Sequence, residues 1–202
     1  MDQKTKPTPR LAPLPVDHNP EMKDIFDAAR KRMGFVPNSM LIGQRRPELM
    51  KAFARLGDAV RAHAEIDRTL IALISHVASR AAGCRYCMAH TASGAAHSQP
   101  DKLAAVWEYR TSPLFSAAER TALDFALAAA SVPNDVTDEM FAELRKHYTE
   151  NQIVDIVAVI SLFGWLNRWN DTMGTPLEAE PIEVAEKFLA PHGWTAGKHA
   201  PK

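Results

Sequence analysis

The stretch that decides the fold is HVASRAAGCRYCMAHTASGA, residues 76–95. Within this stretch an apolar segment ends at Gly83, and a second segment, rich in small residues, begins at Cys84. Residues 66–82 are nearly all apolar, which is typical of a helix that is buried on every side. A glycine directly after such a helix terminates it, because glycine adopts the left-handed conformation without steric cost. The sequence therefore predicts two helices, 66–82 and 84–97, that meet at the centre of the fold.

Helical periodicity also dominates the rest of the chain, and no segment has a convincing strand pattern. Two capping boxes mark helix starts: Ser116 with Glu119, and Thr149 with Gln152. We therefore predict an all-α single domain. Its other helices are expected at about 21–33, 38–43, 47–64, 100–109, 121–130, 137–148, 153–171 and 181–189.

The two ends of the chain lack this periodicity. Residues 1–20 contain five prolines, which exclude a helix and favour an extended arm. The residues after Pro191 show no helical pattern. We divide the chain into an extended N-terminal arm (1–20), a helical domain (21–190) and a flexible tail (191–202).

Composition narrows the class of function. The formal net charge is +0, so nothing attracts a nucleic acid at long range, and we expect no nucleic-acid partner. The apolar runs are too short to span a bilayer, so we expect no membrane partner. The first residues contain no apolar signal core, and a cytoplasmic protein is expected. In that reducing compartment a C-x-x-C motif more often serves redox chemistry or metal binding than a structural disulfide.

The two cysteines of the chain, Cys84 and Cys87, lie three positions apart. Positions i and i+3 share a helix face, so the two thiols can approach each other. At a helix start the dipole and the unpaired N–H groups stabilise a thiolate, which favours Cys84 as the more acidic thiol. His90 lies one turn beyond Cys87, where an imidazole can carry a proton to or from a thiol. An attacking thiolate, a resolving thiol and a proton carrier are what thiol–disulfide chemistry requires.

Other interpretations of these residues stay open. The cysteines could be small buried hydrophobic residues, and His90 or His76 a hydrogen-bonded histidine of the core. A zinc site is a further alternative, with Cys84, Cys87 and His90 joined by His76 or His97. However, no second C-x-x-C and no H-x-x-x-H motif completes such a site. We therefore predict dithiol chemistry that requires no metal and no other cofactor.

The stretch 76–95 resembles the active-site segment of the alkyl hydroperoxidase D-like (AhpD-like) proteins of the carboxymuconolactone decarboxylase superfamily. Two flanking segments carry the same likeness. GFVPNSMLIGQRRPELMKAF, residues 34–53, is similar to a segment of the family's peroxidase-related members. Residues 116–174 are similar to the second half of those members. Because the three segments occur in the right order, the resemblance spans about residues 21–180.

The resemblance implies an AhpD-like helical fold that assembles as a homo-oligomer, with a redox-active C-x-x-C in a cleft near the subunit interface. It also implies that Cys87 attacks a peroxide and becomes a sulfenic acid, and that Cys84 then closes the disulfide. This order is the reverse of the one that the helix dipole favours. We adopt the order that the resemblance implies as the expectation.

Two positions depart from the family pattern, E-x(11)-C-x-x-C-x-x-x-H, whose glutamate and histidine form a proton relay. The position of the glutamate is Ala72 in this chain. The histidine falls one residue early, at His90, and Thr91 takes its usual place. His76 lies one helical turn after Ala72 on the same face and could partly substitute in the relay, whereas Glu65 and Asp67 lie about two turns earlier. These departures weaken the prediction of peroxidase activity more than that of dithiol chemistry.

The sequence thus predicts an enzyme, a thiol-dependent peroxidase or disulfide reductase, with Cys87, Cys84, His90 and His76 as catalytic residues. The substrate would be a hydroperoxide or a small disulfide. A lipoylated or thioredoxin-like dithiol protein would reduce the oxidised pair again. A lactone decarboxylase is the alternative enzyme, although that branch does not depend on a C-x-x-C motif. A helical protein that senses oxidation or binds zinc is the non-enzymatic alternative.

Overall fold

The computed structural model describes residues 9–201, and this part of the chain contains helices and no strand. The prediction of an all-α single domain is confirmed. The described α-helices are α1 (Lys23–Met33), α2 (Asn38–Gly43), α3 (Pro47–Ala62), α4 (Arg68–Ala81), α5 (Arg85–Ser98), α6 (Pro100–Ala104), α7 (Ala117–Ala129), α8 (Asp138–Leu144), α9 (Glu150–Met173) and α10 (Ala179–Phe188).

Both capping boxes form as the sequence predicts, with Ser116 and Glu119 at the start of α7 and Thr149 and Gln152 at the start of α9. Each box satisfies two backbone N–H groups that would otherwise lack a partner. The predicted helix at 100–109 is shorter in the structure, because α6 ends at residue 104 and a 3-10 turn follows it. None of the described helices, including the 24-residue α9, combines the length and the apolarity needed to cross a membrane.

Helix α4 lies at the centre of the domain and packs against α5, α7 and α9. Its side chains Leu73 and Ile74 have no exposed surface, and Leu70 and Val77 are also buried. This explains the nearly continuous apolar sequence of the segment, because a helix with neighbours on several sides is exposed mainly at its ends, where its charged residues Arg68 and Arg80 lie. The main hydrophobic core is formed by α4 together with α7 and α9.

Helix α5 packs on α4 and also contacts α9 and α10. Ala89, Ala92 and Ala95 are fully buried, and their short side chains let neighbouring helices approach α5 closely. A second hydrophobic cluster forms here. It contains both cysteines, together with Leu177, Leu189 and Trp194.

The two ends of the described chain lie against the helical domain. Residues 9–19 contain no helix, and the backbone N–H groups of Arg10 and Leu14 donate to carbonyl groups of Met173 and Leu41. The first eight residues of the predicted arm lie outside the described part. Residues 190–200, here called the C-terminal segment, differ from the flexible tail that the sequence predicts, because they form two 3-10 turns and bury Trp194 and His199. The first turn packs on α10 and the second on α5.

The junction between α4 and α5 depends on the backbone of Gly83, whose φ of 70° is left-handed. Nothing lies within 4 Å of an added Cβ, so an alanine there is strained only through its backbone. We expect Gly83→Ala to lower the free energy of unfolding by roughly 1–2 kcal/mol, measured by denaturant titration. Gly94→Ala is the matched control, because Gly94 lies inside α5 in open space and should gain about 0.5–1 kcal/mol. Equal losses in both variants would contradict this account of the junction.

Candidate functional site

The site is built on the first turn of α5. Cys84 is the N-cap residue of this helix, with an extended backbone (φ −81°, ψ 99°) that follows directly from the turn at Gly83. Its Sγ accepts a hydrogen bond from the backbone N–H of Cys87 at 3.4 Å. Both cysteines are free thiols, and both are buried, with exposed fractions of 0% and 3%. The spacing C-x-x-C thus places the first thiol at the cap and the second inside the first turn.

The surroundings of the two thiols shift their pKa values in opposite directions. The hydrogen bond from the Cys87 side chain lowers the pKa of Cys84, and the backbone N–H groups of Cys87 and Tyr86 lower it further, against the effect of burial. Burial raises the pKa of Cys87 well above its ordinary value, and the neighbouring Cys84 raises it too. The amide group of Asn170, from α9, donates to Cys87 Sγ at 3.6 Å. The negative charge of the pair is therefore most stable on Cys84.

His90 lies one turn beyond Cys87 and is paired with a carboxylate. Its Nε2 is 2.7 Å from Oε2 of Glu178, and the Tyr86 ring stacks on the imidazole with centroids 4.3 Å apart. The Tyr86 hydroxyl donates to the other carboxylate oxygen of Glu178 at 3.1 Å. Burial raises the pKa of Tyr86 well above its ordinary value, so the hydroxyl keeps its proton as a donor. The side chains of His90 and Glu178 are 17% and 13% exposed, so the site reaches solvent on this side.

Glu178 provides the carboxylate partner of His90. It does so from a different place in the chain, because alanine occupies position 72, where the family pattern has its glutamate. It belongs to the turn between α9 and α10 and lies 88 residues from His90 along the chain. Glu178 cannot be recognised from the sequence alone, because no short spacing connects it to the C-x-x-C motif. The only local signal is an acidic residue just before the helix that begins at Ala179, where a carboxylate is favourable.

His76 is completely buried on α4, and hydrogen bonds connect it to the backbone of the motif. The Thr91 hydroxyl donates to the carbonyl of Cys87 at 2.8 Å, so its oxygen accepts from Nδ1 of His76 at 2.9 Å. Burial, with a smaller effect of Arg80, lowers the pKa of His76 to about 4. The ring is therefore neutral at pH 7. The role of His76 in proton transfer stays a prediction. In the structure His76 is hydrogen-bonded to α5 through Thr91.

The buried His76 gives a signed prediction for the pH dependence of stability. Its pKa is lower in the folded protein than in the unfolded chain, so the unfolded chain binds the extra proton first. Stability should therefore be complete above about pH 6.5 and decrease as the pH falls towards 4, by on the order of 3 kcal/mol for this residue. His76→Asn keeps a donor for Thr91 and should flatten this part of the stability curve in denaturant titrations. An unchanged slope in the variant would contradict the assignment.

The zinc ligands considered from the sequence do not converge in the described residues. His90 faces Glu178, His76 faces Thr91, and Nδ1 of His97 is 2.8 Å from the carbonyl of Ser93 on its own helix. The group of possible donor atoms found within 4.8 Å of one another is a different one, and it consists of Cys84, Asp171 and His199.

The C-terminal segment covers the start of α5. The indole N–H of Trp194 donates to the carbonyl of Arg85 at 3.2 Å, and the guanidinium of Arg85 contacts Thr195. His199 is fully buried beside Cys84, and its carbonyl accepts from the N–H of Leu177 at 2.8 Å. Residues far apart in the sequence thus enclose the dithiol.

Comparison with known proteins places this site in a family. The model of the carboxymuconolactone decarboxylase family matches residues 47–128, which include the C-x-x-C motif. An uncharacterized protein of Escherichia coli (strain K12), YnjA, is 32% identical over 120 residues, covering 58% of this chain and 66% of YnjA. An uncharacterized protein of Bacillus subtilis (strain 168), YdfG, is 28% identical over 131 residues, covering 63% of this chain and 88% of YdfG.

Solved structures extend the similarity over most of the chain. The debrominase Bmp8 is 33% identical with a TM-score of 0.84, covering 88% of this chain and 97% of Bmp8. A cysteine-to-alanine variant of Bmp8 has been solved in complex with 2,3,4-tribromopyrrole. A peroxidase-related protein of Ralstonia eutropha JMP134, which has an AhpD core, is 25% identical with a TM-score of 0.69, covering 83% of this chain and 88% of that protein. On its fold and its similarity to these relatives, the chain belongs to the carboxymuconolactone decarboxylase family and is an AhpD-like protein.

Proposed function

We propose that this protein is a dithiol peroxidase that reduces a hydroperoxide to an alcohol while Cys84 and Cys87 are oxidised to a disulfide. The observation that carries the proposal is the shared hydrogen bonding of the two thiols at the start of α5, which lowers the pKa of one thiol and leaves the second beside it. A low-pKa thiolate with a resolving thiol is the arrangement that peroxide reduction requires.

The proposed cycle has two chemical steps. In the first, a thiolate attacks the terminal oxygen of the hydroperoxide, the O–O bond breaks, and the alkoxide takes up a proton and leaves as an alcohol. In the second, the other thiol attacks the sulfenic sulfur, the S–O bond breaks, and hydroxide leaves as water. The His90–Glu178 pair carries the proton from the resolving thiol to the departing hydroxide. The sum is one hydroperoxide and two thiols converted to an alcohol, water and a disulfide.

The geometry favours Cys84 as the attacking thiol. Its sulfur accepts an N–H hydrogen bond and has the lowered pKa, whereas the pKa of Cys87 is raised by burial. This order is the reverse of the one that the family resemblance implies. We propose the order that the electrostatics favour, and single-cysteine variants distinguish the two orders.

Reduction of an organobromine compound is a second candidate, favoured by the similarity to the debrominase Bmp8 over nearly the whole of that protein. The same pair of thiols supplies the two electrons that this reduction requires. Two thiols and a carbon–bromine bond give a carbon–hydrogen bond, bromide with a proton, and a disulfide. The two candidates differ in the atom that the thiolate attacks, and they share the final Cys84–Cys87 disulfide.

A direct comparison of substrates tests the proposal. Protein with excess dihydrolipoamide as reductant is given either cumene hydroperoxide or 2,3,4-tribromopyrrole, and the cumyl alcohol and bromide formed are measured against a Cys84→Ser/Cys87→Ser control. Alcohol formation that depends on the cysteines supports the peroxidase. Bromide release without alcohol formation excludes the peroxidase and supports reduction of an organobromine compound. No cysteine-dependent product from either substrate overturns both.

We also propose that the oxidised pair is reduced again by a lipoylated or thioredoxin-like dithiol protein, because the chain holds no other thiol. A homo-oligomer is part of the same proposal. The neighbouring helices α3 and α9 expose the apolar side chains of Leu49, Leu56, Val154 and Val157, and these would be covered in an assembly. The molar mass from light scattering during size-exclusion chromatography measures the oligomeric state.

A further inference from the structure

His199, on the C-terminal segment, has a buried basic nitrogen beside Cys84 that the proposed cycle does not use. The ring has no exposed surface, and its Nδ1 lies 2.8 Å from the carbonyl oxygen of Thr175. A carbonyl only accepts, so Nδ1 carries the hydrogen and Nε2 of the neutral ring carries the lone pair. Nε2 has no hydrogen-bond partner in the structure, and one ring nitrogen of His199 lies within 4.8 Å of the Cys84 sulfur and of a carboxylate oxygen of Asp171.

Asp171 provides a charge that suits a protonated ring. Its Oδ1 is 3.6 Å from Nε2 of His199, and its other oxygen is paired with Lys198 at 2.7 Å. Burial lowers the pKa of His199, so the ring is neutral at pH 7 until it takes up a proton from a neighbour. The Tyr86 ring also lies near this position, with its centroid 5.9 Å from that of the His199 imidazole, and the positive charge of Lys198 lowers the pKa of His199 further. The Cys87 thiol lies beside Cys84.

We propose that His199 is the general base for Cys84. Its Nε2 takes the proton of the thiol, the resulting imidazolium is stabilised by Asp171, and the same proton is given to the alkoxide after the O–O bond breaks. Each transfer moves one proton, and His199 is neutral again before the disulfide closes. The residue lies outside the matched family region, 47–128, so this base comes from the C-terminal segment of this chain.

This inference rests on the proposed function only for the transfer of the proton to the alkoxide. The first transfer, the deprotonation of Cys84, is measurable without a substrate. The rate at which iodoacetamide alkylates Cys84 reports its thiolate fraction, and mass spectrometry of peptides separates it from Cys87. The rate is measured from pH 5 to 10 in the wild-type protein, in His199→Asn and in Asp171→Asn. All solutions contain a chelator, so that trace metal ions do not compete with iodoacetamide for the thiols.

We expect His199→Asn to lower the alkylation rate at pH 7 by about ten- to a hundredfold, as an increase of one to two units in the thiol pKa requires. At pH 10, where the thiol ionises without a base, the rates should be equal. Asparagine keeps a donor towards the Thr175 carbonyl. Asp171→Asn leaves His199 in place but removes two opposing effects, because the Asp171 charge stabilises the imidazolium and also raises the pKa of Cys84, so this variant should shift the profile much less than His199→Asn does. His192→Gln, on the exposed part of the same segment, is the control and should match the wild type.

A wild-type pH profile in His199→Asn overturns the proposal, and so does a variant whose rates fall equally at pH 7 and pH 10, since that pattern indicates a structural change. The outcome is independent of the peroxidase assignment. A protein that forms no disulfide with any peroxide, yet shows the shifted profile, would retain the base and lose the proposed function.

Discussion

Cys84→Ser should abolish the reaction with hydroperoxide, whereas Cys87→Ser should still consume one equivalent and stop. The low-pKa thiol lies at the cap of α5, and without it the remaining thiol has a pKa raised by burial. In the Cys87→Ser variant the first step can occur, but the sulfenic acid on Cys84 has no resolving thiol. We expect a loss of about a thousandfold or more in the peroxide rate constant for Cys84→Ser. The measurement is rapid-mixing consumption of cumene hydroperoxide, with dimedone labelling to detect the sulfenic acid.

The design of these variants controls for folding. Serine is a favoured N-cap residue, so Cys84→Ser keeps a side-chain acceptor for the N–H of Cys87 and should melt at the wild-type temperature or above. The reverse result, with one equivalent consumed by Cys84→Ser and none by Cys87→Ser, would restore the order that the family resemblance implies. Full consumption by both variants would refute a dithiol mechanism.

Glu178→Gln should slow disulfide closure by about a hundredfold and leave the first step nearly unchanged. The glutamine still accepts from Tyr86 and fits the same turn, but it has no charge to stabilise a proton on His90. The rate is that of disappearance of the sulfenic acid in stopped-flow experiments after a single addition of peroxide.

Glu180→Gln is the matched control, because Glu180 accepts a hydrogen bond from Ser93 of α5 at 2.6 Å, whereas the partner of His90 is Glu178. It should close the disulfide at the wild-type rate. If both variants close it equally slowly, the effect belongs to the packing of α10 on α5. If Glu178→Gln closes it at the wild-type rate, the carboxylate is not part of a relay.

Much of the fold can be predicted from local sequence, because its signals lie within one helical turn of the residues that they affect. The start of α7 is marked by Ser116 and Glu119, which lie three residues apart in the chain. The end of α4 is marked in the same way by a single nearby residue, Gly83. The apolar sequence of residues 66–82 similarly predicts a central helix. These features need no knowledge of the neighbouring elements.

The site could be predicted only in part. Cys84, Cys87 and His90 lie within seven positions of one another at the start of α5, so their spacing alone is sufficient to propose them as site residues. Glu178 contacts His90 from 88 positions further along the chain, and His199, beside Cys84, lies further along still. Their positions depend on how α10 and the C-terminal segment pack on α5, and a short segment with prolines and glycines gives no periodic signal for that packing.

The central claim is that Cys84 and Cys87 form a disulfide when the protein reduces its substrate. Reduced, chelator-treated protein is mixed with one equivalent of cumene hydroperoxide, and its free thiols and intact mass are measured before and after addition of dihydrolipoamide. We predict rapid loss of both thiols, a mass lower by that of two hydrogen atoms, and full recovery with the dithiol. Two surviving thiols, or a mass that rises by one oxygen atom without disulfide formation, would contradict the account.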